Sequence, residues 1–269
     1  MNLINLKIVK AGLIGMIGSS YIAQQQQNRL KCAAPYFSFI SHTELQQFRL
    51  RFPSLYVLDK FQVEHILSVI RNKTTQTKDF RLYSDRLIRL LLEKAVSEHI
   101  KKMSPQEGQQ SQQQQAQVIS FEQKQFCVVV MIRSGNAFLG EALKVLPGTS
   151  VGFILVQEHP QTKDPQLIYC KLPEDVDQKQ VILTDAMITT GGRITTAIKA
   201  LLSHGVTQDN ITAVNIVSCE KGLSRVLHQF PKVKIITAGV DHALNTIQDL
   251  RFPGVGDFGD RYFGTVDQY

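Results

Sequence analysis

The chain has 269 residues, of which 43% are hydrophobic, so it can bury a substantial core. Its formal charge of +7 is unevenly placed: residues 1–52 hold six Lys/Arg and one acid, whereas residues 53–269 hold 24 Lys/Arg and 22 acids. Because the larger part is nearly neutral, it lacks the concentrated basic surface of a nucleic-acid-binding protein, and we expect no nucleic-acid partner.

The N-terminal segment has the composition of a targeting or anchoring extension followed by a linker. No acid precedes Glu44, and basic residues are scattered around an apolar stretch at 11–23. That stretch is shorter than the roughly 20 residues that a membrane-spanning helix needs. Two interpretations stay open for residues 1–30: a cleaved presequence, or a segment that contacts a membrane or a partner complex. We expect a mitochondrial location, with the cytoplasm as the alternative.

Residues 53–269 are predicted to form one domain that begins with two amphipathic helices. Apolar side chains recur every three or four residues at 61–70 and at 83–100, with Ser84 or Asp85 as a plausible cap for the second helix. The Gln-rich stretch 106–117 cannot bury enough surface to order itself, so it is predicted to be a surface loop.

Beyond residue 125, short runs rich in β-branched residues alternate with helical patterns. The predicted strands are 126–132, 150–156, 179–184, 211–218 and 233–240, and the helices between them are 136–145, 192–204 and 221–229. Continuous apolar strands separated by helices predict an α/β fold with a mostly parallel sheet flanked by helices. Ligands of such folds bind at the carboxyl ends of the strands.

One strand end, residues 185–193, carries the most specific pattern. The sequence D-A-M-I-T-T-G-G-R joins the strand 179–184 directly to a helix. Its glycine pair permits a tight turn whose N–H groups and helix N-terminus face an anion, and its threonines add hydroxyl donors. Asp185 at the strand end can accept hydrogen bonds from sugar hydroxyls. The alternative is an ordinary strand-to-helix turn, which explains the glycines but not the aspartate or the threonines.

The strand followed by D-x-M-x-x-T-G-G resembles the phosphoribosyl pyrophosphate (PRPP) loop of type I phosphoribosyltransferases, in the form found in the uracil branch. The resemblance covers residues 54–266. Further segments similar to the uracil phosphoribosyltransferase family are 70–75, 83–91, 132–135, 167–175, 230–233 and, most specifically, the tail 253–265.

The resemblance implies a type I phosphoribosyltransferase fold with a small C-terminal base-binding hood, and transfer of the phosphoribosyl group from PRPP to uracil. The products are UMP and diphosphate, as in pyrimidine salvage. Mg²⁺, held mainly by substrate, is the implied cofactor, with Asp185 as a protein ligand. A homo-oligomer is the implied assembly.

The same resemblance assigns individual residues. Asp185 and Asp257 are the implied catalytic residues, and Arg133 is the implied diphosphate clamp. The uracil-site residues are Arg251, Gly256, Asp257 and Phe258. The PRPP-binding residues are Arg133, Asp185, Ala186, Met187, Ile188, Thr189, Thr190, Gly191, Gly192, Arg193 and Asp257.

Ala186 and Arg193 depart from the family pattern without arguing strongly against binding, whereas two other departures bear on activity. Glu158 stands where the family places an arginine that helps to bind diphosphate, and a carboxylate there repels that group. Arg251 stands where an aliphatic residue contacts the base. Two alternatives to an active uracil enzyme therefore stay open. One is a catalytically impaired homologue that serves as a structural or assembly subunit, for instance in a mitochondrial complex, and the other is transfer to a different base.

Overall fold

A computed structural model describes residues 41–58, 61–103, 125–242 and 254–265. The predictions made for residues 1–30, for the Gln-rich stretch 106–117 and for Arg251 lie outside these residues. None of the helices within the described ranges is long and apolar enough to cross a membrane.

A single sheet organises the described part of the chain. Its strands are β1 (Leu55–Val57), β2 (Phe126–Ile132), β3 (Ser150–Glu158), β4 (Pro165–Lys171), β5 (Gln180–Thr184), β6 (Met187–Ile188), β7 (Ile211–Cys219) and β8 (Lys234–Asp241). They run in the order β1-β8-β7-β5-β2-β3-β4, and β6 pairs with β7 beyond that path. All pairings are parallel except the antiparallel pairing of β3 with β4.

Helices cover both faces of this sheet. The helices are α1 (His42–Arg51), α2 (Phe61–Arg71), α3 (Thr77–Met103), α4 (Asn136–Val145), α5 (Gly192–Ser203), α6 (Glu220–Gln229) and α7 (Phe258–Phe263), with 3-10 turns at Val176–Gln178 and Gln208–Asn210. Residues of α1, α5 and α6 share one buried cluster with the sheet, and residues of α2, α3, α4 and α7 share the other. The predicted α/β architecture is therefore confirmed.

The N-terminal helices differ from prediction in two places. Helix α3 begins at Thr77, so Ser84 and Asp85 lie inside it and the predicted cap is wrong. The earlier start buries Phe80, whose ring packs 5.3 Å from the ring of Phe258 in the tail. Helix α1, within the predicted extension, contributes the buried Phe48 to the core.

Candidate active site

Two loops meet where the parallel strands β2 and β5 end. Thr184 pairs with Val130 in the sheet, so the residues that follow each strand emerge side by side. The Ser134 hydroxyl donates a hydrogen bond to the carboxylate of Asp185, a residue that is only 2% exposed. A Cβ on Gly135 would lie 2.4 Å from the Thr184 carbonyl oxygen, so only glycine permits this close approach.

The loop after Asp185 pairs through its backbone with β7 and leads directly into helix α5. Met187 and Ile188 form β6 against β7, and the side chains of Ala186 and Ile188 are buried. Gly191 has a φ of +77° and precedes the helix without any side-chain cap. The Gly192 amide donates to the Thr190 hydroxyl at 3.4 Å, and the other amide groups of the first turn of α5 are left for an anion.

Helix α6 packs directly on this loop. A Cβ on Gly222 would lie 2.2 Å from the carbonyl oxygen of Thr189, and one on Gly191 would lie 2.8 Å from the carbonyl oxygen of Gly222. Backbone thus contacts backbone, and a side chain at either glycine would separate the helix from the loop. Gly222 was not predicted from sequence; a glycine in the first turn of an amphipathic helix was the available signal.

Arg193 connects the two loops. Its Nη2 atom donates to the Ile132 carbonyl oxygen at 3.3 Å and lies 3.8 Å from Oδ2 of Asp185. Its Nε atom is buried and has no hydrogen-bond partner among the described residues. The guanidinium group therefore stands between the loop at 132–135 and the loop at 185–193, in contact with both.

The C-terminal tail forms the third part of the site. Asp257 caps α7 by accepting a hydrogen bond from the Asp260 amide at 3.0 Å, while Gly256, with a φ of +71°, is exposed. The Phe258 side chain is fully buried and stacks on Tyr262 with ring centroids 5.6 Å apart. Phe258 therefore anchors the tail from within the core, since the whole residue is buried.

The tail is fixed to the N-terminal helices by two further residues. Arg261 donates to the carbonyl oxygens of Ile70 and Asn72, each at 2.7 Å. The Tyr262 hydroxyl donates to Asp85 at 2.5 Å. Burial raises the pKa of Tyr262, and the hydrogen bond to Asp85 raises it further, so the phenol stays protonated and keeps donating.

Arg133 joins the loop at 132–135 to this tail. Its Nη2 atom lies 2.7 Å from Oδ1 of Asp260 and 3.6 Å from Oδ1 of Asp257, and its Nη1 atom lies 3.4 Å from the Thr265 hydroxyl. Hydrogen bonds from Thr265 and Arg133 hold the pKa of Asp260 below its ordinary value. The segment 132–135 and the tail 253–265, which were predicted separately, are thus brought together. Asp260 and Thr265 belong to the candidate site, although the sequence did not single out either residue.

Glu158 lies at the same edge of the sheet. It is exposed at the end of β3 and pairs with Pro165, the first residue of β4. A ring carbon of Pro165 lies 3.3 Å from the position of a Cβ on Gly192, at the start of α5. The end of the β3–β4 hairpin therefore borders the predicted phosphate loop, as the alignment of Glu158 requires.

A comparison with known families decides the assignment. The family described as uracil phosphoribosyltransferase matches residues 57–265, which include both loops and the tail. The chain belongs to the uracil phosphoribosyltransferase family.

Individual relatives carry two kinds of name. A uracil phosphoribosyltransferase of Dictyostelium discoideum is 36% identical over 77% of this chain and 94% of that protein. Uridine kinase-like protein 3 of Arabidopsis thaliana is 37% identical over 84% of this chain, but the match spans only 48% of that protein. The AQ2163 protein from Aquifex aeolicus matches in structure with a TM-score of 0.63 at 23% identity, over 78% of this chain and 97% of that one. The last comparison confirms the fold alone.

Proposed function

We propose that this family member transfers the phosphoribosyl group of PRPP to uracil, giving UMP and diphosphate. The observation that carries the proposal is the meeting of Arg133, Asp185 and the tail at one edge of the sheet. Asp185 touches Ser134 and lies 3.8 Å from Arg193, while Arg133 lies 2.7 Å from Asp260. The relatives named as uracil phosphoribosyltransferases support uracil as the acceptor.

The chemistry requires positioning more than covalent help. As the bond between C1 of the ribose and the diphosphate breaks, positive charge develops on the ribose and negative charge on the leaving diphosphate. Arg133 can exchange its bonds to the tail carboxylates for bonds to the diphosphate, because its side chain is half-exposed. In this proposal the buried Asp185 accepts hydrogen bonds from the ribose hydroxyls, and the amides that the first turn of α5 leaves free hold the 5′-phosphate.

Magnesium fits this site as a metal held mostly by substrate. Within the described ranges, no cluster of three or more His, Cys, Asp or Glu side chains could hold a metal ion. Mg²⁺ prefers oxygen ligands and commonly binds through one or two carboxylates together with substrate phosphates. Asp185 would supply one such carboxylate, and the bound metal would neutralise charge on the diphosphate.

The competing proposal is a catalytically impaired homologue that acts as an assembly subunit. It is motivated by the sequence departure at Glu158, an exposed residue at the end of β3, because a carboxylate near a diphosphate would repel it. In favour of an enzyme, the residues implied for the ribose, the diphosphate and the base edge adjoin one another. Homo-oligomerisation, the mitochondrial location and the role of residues 1–30 remain predictions.

Conversion of radiolabelled uracil tests the proposal. The full-length chain, incubated with PRPP and Mg²⁺, is expected to form labelled UMP in proportion to enzyme concentration. Asp185→Asn should reduce the rate by roughly 100-fold or more while leaving the unfolding midpoint in urea nearly unchanged, since losing a transition-state contact to charge costs several kcal/mol. A wild-type chain that binds PRPP but forms no UMP would support the assembly-subunit alternative.

A further inference from the structure

Helix α6 brings a second arginine to the phosphate loop. Gly222 of this helix lies against the loop backbone, and Arg225 follows three residues later, on the same helical face. Side chains of a helix lean toward its N-terminus, so the Arg225 side chain extends over the turn that contacts the loop. Its Nη1 atom lies 3.6 Å from the position that a Cβ on Gly192 would occupy.

The charges around the loop distinguish Arg225 from the other two arginines. Arg133 is bonded to Asp260, and Arg193 contacts Asp185 and the carbonyl oxygen of Ile132. Arg225 is exposed and makes no hydrogen bond or ion pair with any residue in the described ranges. Asp185 and Glu158 add negative charge at this edge. A dianionic phosphate placed at the first turn of α5 would therefore find Arg225 as its uncommitted cation.

We infer that Arg225 binds the 5′-phosphate of PRPP and of the nucleotide product, together with the amides that the first turn of α5 leaves free. This inference rests on the proposed function, because it takes 185–193 to be the phosphate loop. A guanidinium group suits the role, since its planar fork can grip two phosphate oxygens at once. The ligand class is a sugar 5′-phosphomonoester. Inorganic diphosphate, assigned to Arg133, does not use this contact.

Calorimetry on the full-length chain with two probes tests the inference. We expect Arg225→Gln to weaken UMP binding by roughly 10- to 100-fold, the usual range for a lost charge-assisted hydrogen bond. Binding of inorganic diphosphate in the presence of Mg²⁺ should change by less than about twofold, because that probe reports the Arg133 side of the site. Arg225→Lys, which keeps the charge and loses the fork, should fall between wild type and Arg225→Gln.

Lys232→Gln is the matched control. It removes one positive charge just before β8 begins, where Lys232 pairs with Asp209 at 3.3 Å. This position lies at the amino ends of the parallel strands, whereas the phosphate loop lies at their carboxyl ends. We expect this variant to bind both probes as wild type does. UMP affinity in Arg225→Gln within twofold of wild type would overturn the inference, as would an equal loss for both probes. A wild-type chain that binds neither UMP nor PRPP would instead overturn the proposed function itself.

Discussion

Replacement of Arg71 tests the ion pair that joins helix α2 to the end of β8. The guanidinium group of Arg71 donates to both carboxylate oxygens of Asp241, at 3.0 and 2.8 Å. The two side chains are only 3% and 6% exposed. Asp241 also accepts a hydrogen bond from the Gly254 amide at 3.1 Å, so the same carboxylate holds the start of the described tail.

The expected cost follows from this burial. Arg71→Met keeps most of the apolar volume but leaves the Asp241 carboxylate buried without its counter-charge. Breaking a buried pair in this way costs about 3–5 kcal/mol, whereas replacing both partners costs less than the sum of the single changes. Urea unfolding of Arg71→Met, Asp241→Asn and the double variant therefore measures the coupling. If Arg71→Met alone lowers the free energy of unfolding by less than about 1 kcal/mol, the reasoning is refuted. So small a loss is typical of an ion pair exposed to water.

Three further predictions concern charge and reactivity. Glu158→Arg should tighten PRPP binding by up to roughly 30-fold in calorimetry. The site is exposed, the substitution changes its charge by two units, and each unit at about 4 Å is worth about 1 kcal/mol in water. Weaker binding would show that residue 158 does not face the diphosphate. Asp260→Asn should tighten inorganic diphosphate binding about two- to fivefold, because it frees Arg133 from an exposed ion pair worth less than about 1 kcal/mol. An unchanged affinity would mean that the Arg133–Asp260 pair does not compete with the ligand. Burial raises the pKa of Cys219 to about 12, so at pH 8 this thiol carries almost no thiolate and should resist iodoacetamide until urea unfolds the chain. Peptide mapping should find the partly exposed Cys170 alkylated before Cys219, and equal native rates for the two would contradict the burial of Cys219.

The strands at the centre of the sheet could be predicted because they are buried on both faces. Apolar runs such as 126–132 and 211–218 have the composition that such burial requires. Strand β4 was missed because it lies at the edge of the sheet, where Leu167, Ile168 and Tyr169 are 44–53% exposed and little burial pattern exists to read. Helix α1 was also missed, although Ser41 and Glu44 form a capping box that the spacing S-x-x-E indicates.

The site was predicted in parts, and its assembly was not. Asp185 and Arg133 follow apolar strands directly, so their place at the carboxyl ends of the sheet follows from local sequence. The contact between Arg133 and Asp260 joins residues 127 positions apart, and no local pattern reports such a contact. Arg225 was missed for the same reason, since its approach to the loop depends on the packing of Gly222.

The most direct test of a combined PRPP and pyrimidine site is calorimetry with the two ligands in sequence. PRPP with Mg²⁺ is titrated first into the full-length chain, and uracil is titrated into the resulting complex and, separately, into the free protein. Because Arg133 contacts the tail that is predicted to form the uracil site, we expect PRPP to bind and uracil to bind more tightly to the complex than to the free protein. Absence of binding heat with both ligands would contradict the claim that the 185–193 loop and the tail form one phosphoribosyl and pyrimidine site.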